Sequence, residues 1–403
     1  MGKKESLTDL GWRTILTKGW WSLLYIGIFV FGKYIPLPFA NLTTKGGNIM
    51  LAATGGDSSR ASLFSLGIGP WMSSMIIVGM LGQLHLPGLS KLTEKKLDWI
   101  QKGLTFFLAV IQAFVVLHEF SFTSTAPFAR FVSFLVLLAG SFLLVWLSVE
   151  NDKNGLGGIT LILMANMFFA LMRFFIQGII PGLRPQAANW TRGITLVVML
   201  ALGTMTVLLT NAERRIPVTK LLISSEFGSE SYLPIRVLPA GSMPAMFAMT
   251  IFALPRYLLL FLRNVTGARI WQILADCFQI NVLPGFFIYN LILVGLTYGF
   301  AYISIDPLEI SEKMQKSGDY IPGFHPGKET EKYLHHVINV FSFVSSVYFV
   351  VIVGLPMGLN LVSPSLGALA MIPNYVIILA GFSAAIVEEI DVLRIRSHYV
   401  SLI

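Results

Sequence analysis

The chain has 403 residues, 55% of them hydrophobic and 12% charged, with 30 phenylalanines and a mean hydropathy of +0.72. That balance excludes an ordinary soluble domain and points to an all-α, polytopic membrane protein. A net charge of +8 would suggest nucleic acid in a soluble chain, but here its placement along the sequence matters more. The single cysteine, Cys277, excludes an internal disulfide and a multi-cysteine metal cluster.

The N-terminal MGKKESLTDLGWRTILTKGWW sets lysines ahead of an apolar run as a signal peptide does. The run continues to Pro36 without a small-residue cleavage site, so it reads as a retained first span. The stretch that follows organises the rest. Residues 49–64 are only mildly apolar and carry Gly55, Gly56, Asp57 and Arg60, too polar for a helix facing lipid. Leu66 to Leu84 is free of charge over the ~20 residues that cross a bilayer, and it opens with Gly67, Gly69 and Pro70. A polar segment joined to a spanning helix is tolerated only inside protein or along an aqueous cavity. Residues 49–64 are therefore expected to form a re-entrant, plug-like half-helix.

Apolar runs of spanning length number ten, at roughly 20–36, 66–84, 103–120, 131–149, 158–180, 193–211, 240–262, 284–304, 335–355 and 367–387. With the N-terminus in the cytoplasm, the loops on that side hold 19 Lys and Arg against seven on the other, while Lys33, Arg173 and Arg256 fall within spans. This bias predicts both termini in the cytoplasm. The runs divide five and five at PGLRPQAANWTR, giving an N-terminal half over 1–185 and a C-terminal half over 186–403. An odd number per half makes the second half start from the opposite face, the arrangement of an inverted repeat. The second span of each half opens with small residues and a proline, GIGPWM at 67–72 and AGSMPAM at 240–246. Gly and Pro are frequent in membrane helices, but broken helices at corresponding positions also mark functional centres.

Two loops on the cytoplasmic side are too patterned to be plain connectors. Residues 211–238 carry ERRIPV and YLPIRV around a SSEFGSES turn and read as two short strands. Residues 305–332 carry GDYIPGFHPGKETEK and read as turns with basic residues nearby. Either is solvated surface or, being basic and stiff, a docking face for a cytoplasmic partner.

Several motifs are missing. Asp and Glu are absent from the interior of every apolar run, Glu119, Glu150, Glu213 and Glu388 standing only at their ends, whereas proton- and sodium-coupled carriers rely on intramembrane carboxylates. His118-Glu119 lacks the second histidine of a zinc protease, and Gly327-Lys328 lacks the rest of a phosphate loop, so neither proteolysis nor nucleotide hydrolysis is expected and no cofactor is implied. Arg173 and Arg256 can snorkel to the interface. Met243, Met246 and Met249 recur along span seven, and Met72 stands one turn after Ile68; these read as filler or as an adaptable apolar collar, and periodicity does not choose.

ASLFSLGIGPW at 61–71, ERRIPV at 213–218, YLPIRVLPAGSMPAMFA at 232–248 and GDYIPGFHPGKETEKYL at 318–334 resemble, in order, motifs of the SecY protein-conducting channel family. The resemblance implies a clamshell of two inverted five-helix halves with a pore, a plug near residues 49–64 that includes Gly55, Gly56 and Arg60, and a lateral gate between spans two and seven. Pro70, Met243 and Pro244 would lie at that gate. Carried over by motif position, the apolar pore ring would be Ile68, Met72, Met167, Met246 and Ile372. A SecA-type motor ATPase would dock on Arg214, Arg215, His325 and Lys328. A SecE-type small subunit or its accessory equivalent, a signal-peptide-bearing polypeptide and membrane lipid complete the implied partners, with no nucleic acid.

The chain departs from the family at informative places. His325 stands where the family carries arginine, exchanging an always-charged donor for one mostly neutral at pH 7. Leu238 replaces an asparagine, the collar is rich in methionine and the C-terminal tail is short. Together these look like the accessory branch of the family in Gram-positive bacteria, which exports serine-rich glycosylated adhesins with a dedicated motor. The alternatives are the housekeeping channel and a ten-span small-solute carrier.

Overall fold

The computed structural model describes residues 7–42, 61–83, 94–118, 120–122, 127–177, 185–219, 231–362 and 367–399. Helices run through α1 (Leu7–Tyr34), α2 (Gly69–Gln83), α3 (Glu94–His118), α4 (Pro127–Asn154), α5 (Gly158–Gln177) and α6 (Pro185–Asn211). They continue through α7 (Met243–Thr266), α8 (Arg269–Cys277), α9 (Leu283–Ser304), α10 (Pro307–Ser317), α11 (Lys328–Phe349) and α12 (Gly367–Tyr399). Two antiparallel strand pairs interrupt them, β1 (Ala40–Leu42) with β2 (Phe120–Phe122) across α2 and α3, and the hairpin of β3 (Glu213–Pro217) with β4 (Tyr232–Arg236). A helix covers each apolar run. Among the described residues seven helices are long and apolar enough to cross a membrane, and Gly158–Met172 is a shorter apolar one.

Local chemistry sets the boundaries. α7 begins after the left-handed Gly241 with Pro244 in its first turn, where a missing N–H leaves no bond unmade. It ends at the left-handed Gly267, whose N–H bonds the Arg263 carbonyl at 2.8 Å. The helix α11 passes into a π turn at Val350–Gly354. Pro356 lies four residues beyond Ile352, and its ring and missing N–H do not fit a regular α ladder there.

The two halves repeat one set of neighbours. In the first, α2 packs on α3, α3 on α4 and α4 on α5, while α1 lies against α4 and α5. In the second, α7 packs on α9, α9 on α11, the π turn on α12, and α6 against α12. Thr206 of α6 also hydrogen-bonds Tyr348 of α11 at 2.8 Å, matching the α1–α4 contact. The halves meet at two places. One is α7 against α2 and α3; the other is α12 against α1 and α5.

One continuous apolar core joins the helices of both halves. A second, small core is separate from it: Ile216, Ile235, Met314, Ile321, Leu334 and Val337 are buried together between the β3–β4 hairpin, α10 and the start of α11. The expected strands are present, but residues 305–332 are not only turns. α10 occupies Pro307–Ser317, capped by Asp306, whose Oδ1 accepts the Leu308 N–H at 2.9 Å, and closed by left-handed Gly318. Asp-Pro before ISEKMQK and the glycine after it are ordinary start and stop signals. The turn-rich sequence downstream masked them.

Candidate functional site

The segment leading into α2 enters the bundle instead of crossing it. Leu37 donates to the Ala61 carbonyl at 2.8 Å, Leu63 to the Ile35 carbonyl at 3.0 Å, and Ser141 of α4 to the Gly67 carbonyl at 2.9 Å. Phe64 stacks on Phe29 of α1 with centroids 6.0 Å apart. Its ring occupies the space where Gly32 has no side chain, and the Leu63 carbonyl likewise lies against Gly140. Non-helical backbone within an apolar bundle is stable only when its polar groups are paired in this way. The expected plug residues Gly55, Gly56 and Arg60 lie outside the described residues.

The five residues of the expected ring belong to α2 and its leading turn, α5, α7 and α12. Ile68, Met72 and Met167 are each 1% exposed, Ile372 3% and Met246 6%, all within the continuous core. A closed apolar waist excludes ions because no group there repays dehydration. Methionine suits it: a flexible, unbranched thioether fills irregular gaps and repacks. The methionine stripe of α7 divides, with Met246 and Met249 inside and Met243 48% exposed. Pro70 and Pro244 are buried where α2 and α7 begin, and these two helices pack together. Arg256 is half-buried on α7, and the Arg173 side chain lies outside the described residues.

Arg214, Arg215, His325 and Lys328 are all exposed. The two loops that carry them are joined. Thr219 and Tyr320 exchange backbone bonds at 2.9 and 3.1 Å, and Ile321 is buried beside Ile216 in the small core. Arg215 bonds Glu213 at 2.8 Å and lies 4.8 Å over the Tyr232 ring. The hydrogen bond to Glu213 raises its pKa first, and the Tyr232 oxygen adds to it. The His325 N–H donates to Glu329 at 3.1 Å and its carbonyl accepts from Thr330 at 2.9 Å, which presents the ring on a fixed backbone. The neighbouring Phe324 pairs with Tyr333, ring centroids 4.4 Å apart. The four residues thus stand on one folded unit.

Hydropathy alone did not show what Lys33 does. Its ammonium donates to Asn166 of α5 at 2.7 Å and sits 5.3 Å from the Phe29 ring, so a buried cation is held by an amide oxygen and a ring face one residue along the chain from Met167. A lysine one turn above a run of aromatics is the signal that can find such a site.

A multi-spanning helical bundle with a repeated neighbour pattern, one continuous apolar core and an appended folded unit is the class the geometry defines. A sequence model described as SecY matches residues 62–387, and the chain belongs to the SecY family. It is 34% identical over 399 residues to an accessory Sec system protein translocase subunit SecY2 of Streptococcus oralis, covering 95% of this chain and 96% of that protein. The SecY2 subunit of Leuconostoc gelidum is 29% identical over 425 residues, covering 99% of each chain. Among solved structures, one described as a protein conducting channel superposes with a TM-score of 0.62 at 16% identity, covering 95% of this chain and 93% of that one. Sec61 in a canine ribosome-channel complex superposes with a TM-score of 0.59 at 16% identity, again covering 95% and 93%.

Proposed function

We propose that this chain is the protein-conducting channel subunit of an accessory Sec system, passing unfolded secretory polypeptides across the cytoplasmic membrane. The observation that carries this reading is the burial of Ile68, Met72, Met167, Met246 and Ile372 in a chain matched almost end to end by SecY2 relatives. These five residues seal the waist around a moving chain, and residues 49–64 plug it at rest. Pro70, Met243 and Pro244 frame a gate through which a signal peptide's apolar segment reaches lipid. A dedicated SecA-type ATPase docks on Arg214, Arg215, His325 and Lys328 and supplies the energy, since this chain makes and breaks no covalent bond. A SecE-type subunit or its accessory equivalent completes the complex. Both termini lie in the cytoplasm, and serine-rich glycosylated adhesins are the expected cargo.

A cross-link tests the pore. With Cys277→Ser as background, single cysteines at Met72 and Met246 are combined with a cysteine-bearing secretory chain stalled with its motor and ATP in vesicles. Disulfides at both positions are expected, and the dedicated motor is expected to give them where the general one does not. Cross-links at neither position with either motor would overturn the pore assignment and favour a small-solute carrier.

A further inference from the structure

Two adjacent carboxylates near the end of α12 reach different parts of the molecule. Glu389 accepts the Gly157 N–H at 2.8 Å, in the turn between α4 and α5 of the first half. Glu388 accepts from Arg236 at 2.8 Å, at the end of β4 in the folded unit of the second. We propose that Glu388 and Glu389 form a latch that couples a load on the β3–β4 unit to the separation of the two halves. The inference rests on the channel and motor reading above. Both glutamates are positioning residues: neither faces the waist.

The turn held by Glu389 is built to move as one piece with its helices. Gly157 and Gly158 adopt φ of +70° and +44°, a backbone shape that residues with a side chain rarely take. Asn151 of α4, fully buried, donates to the Leu156 and Gly158 carbonyls at 3.0 and 2.8 Å. Ser22 of α1 accepts the Leu156 N–H at 2.7 Å and donates to Asn151 at 3.0 Å. A close-packed turn bonded to α1 and α4 transmits displacement instead of absorbing it. A pull on Gly157 therefore reaches α1, α4 and α5 together.

The other end of the latch is equally tied. Arg236 pairs with Glu213 in the hairpin register, Val237 donates to the Ala212 carbonyl at 2.8 Å, and Ser345 of α11 donates to the Val237 carbonyl at 3.1 Å. Between the two ends lies α12, which packs on α1 and α5 of the first half and on α6 and α7 of the second. Like α7, it contacts both halves, and it alone carries the two adjacent glutamates that bond one part of each. Loading the hairpin strains the Arg236–Glu388 pair, and the neighbouring Glu389 passes that strain to the Gly157 turn.

The Arg236–Glu388 pair is half exposed, so solvent limits its effect on the gate to roughly two- to fivefold. A part-buried bond from a backbone N–H to a charged acceptor is worth roughly tenfold. The test uses the full chain with its motor in vesicles. Arg236→Glu and Glu388→Arg are each expected to raise motor-free ion leak and lower motor-driven export roughly two- to fivefold, and the double swap to restore both. Motor affinity is expected to stay constant in all of them. Glu389→Ala is expected to raise the leak roughly tenfold. Glu389→Gln keeps an oxygen for the Gly157 N–H and is expected to stay near wild type, which controls for misfolding. A double swap that restores neither readout overturns the latch, as does a folded Glu389→Ala chain with wild-type leak and export. A change in motor affinity does so too, by making Arg236 a docking contact. Cross-linking through Met72 and Met246 in the same variants separates the two failures: normal cross-links with no effect of the substitutions sink the latch and leave the channel standing.

Discussion

The openings of α2 and α7 are built alike and carry different things. Each is a tight turn with a left-handed glycine, Gly67 at φ +65° and Gly241 at φ +55°. Each turn is closed by short bonds, Gly67 to the Phe64 carbonyl and Gly241 to the Leu238 carbonyl, both at 3.0 Å. Each turn is held by a serine on the fourth long helix of its half, Ser141 of α4 at 2.9 Å and Ser345 of α11 at 3.1 Å. A methionine stands one turn into each helix, Met72 and Met246. Before Gly67 the chain is buried among α1 and α4, whereas before Gly241 it comes from a hairpin with its own small core. One device thus sets a buried methionine in the core from each half and hangs a buried segment on one half and a folded unit on the other.

The sharpest way to break this comparison is to remove the small core. Ile216→Ala is expected to cost about 2–5 kcal/mol in so small a unit. Limited proteolysis should then cut within residues 211–238 while circular dichroism shows the bundle intact. Cutting at the wild-type rate would deny the hairpin a core of its own.

Next in size come the two methionines. A buried asparagine without partners costs about 1–3 kcal/mol unless water enters with it. Met72→Asn and Met246→Asn are therefore both expected to raise resting ion leak and to let signal-defective substrates through. Unchanged leak in both would refute the collar.

The two serines separate the openings. Ser141→Ala strands a carbonyl inside the bundle at about 1–3 kcal/mol, while Ser345→Ala at a part-buried site costs about 0.5–1.5 kcal/mol. Thermal unfolding in detergent should rank them in that order, and an equal loss would make the two turns energetically the same.

The smallest effect is expected at Gly241, where a side chain would meet open space. Gly241→Val strains the left-handed backbone by about 1–2 kcal/mol, and Gly241→Asn, which tolerates that conformation, should recover most of it. The same pair of melting curves checks both. A Val variant as stable as wild type would show that the positive φ is not required.

Much of this was legible in the chain. Apolar runs place helices because a span must satisfy its backbone internally, and each run lies on one. The strands of 211–238 were legible from ERRIPV and YLPIRV flanking a polar turn. The helix α10 was not, because Gly and Pro pairs downstream drew the whole of 305–332 toward turns. The expected ring rests on motif and not on period, since Met72 and Met246 recur at a spacing that lipid-facing methionines also show. Lys33 with Asn166, and Glu389 with Gly157, lie too far apart in sequence for any local pattern to pair them.

By itself the sequence determined that the chain is a many-helix membrane protein, where its apolar helices lie, and that the second long helix of each half opens on small residues and a proline. Those properties follow from hydropathy, from proline and glycine stereochemistry and from local capping, all carried within a turn or two of the chain. The tertiary structure alone decided that two distant loops share one core, that residues from four separate parts of the chain are buried in one continuous core, and that α12 bonds both halves. These depend on side chains meeting across more than a hundred residues, and only packing brings them within hydrogen-bonding distance.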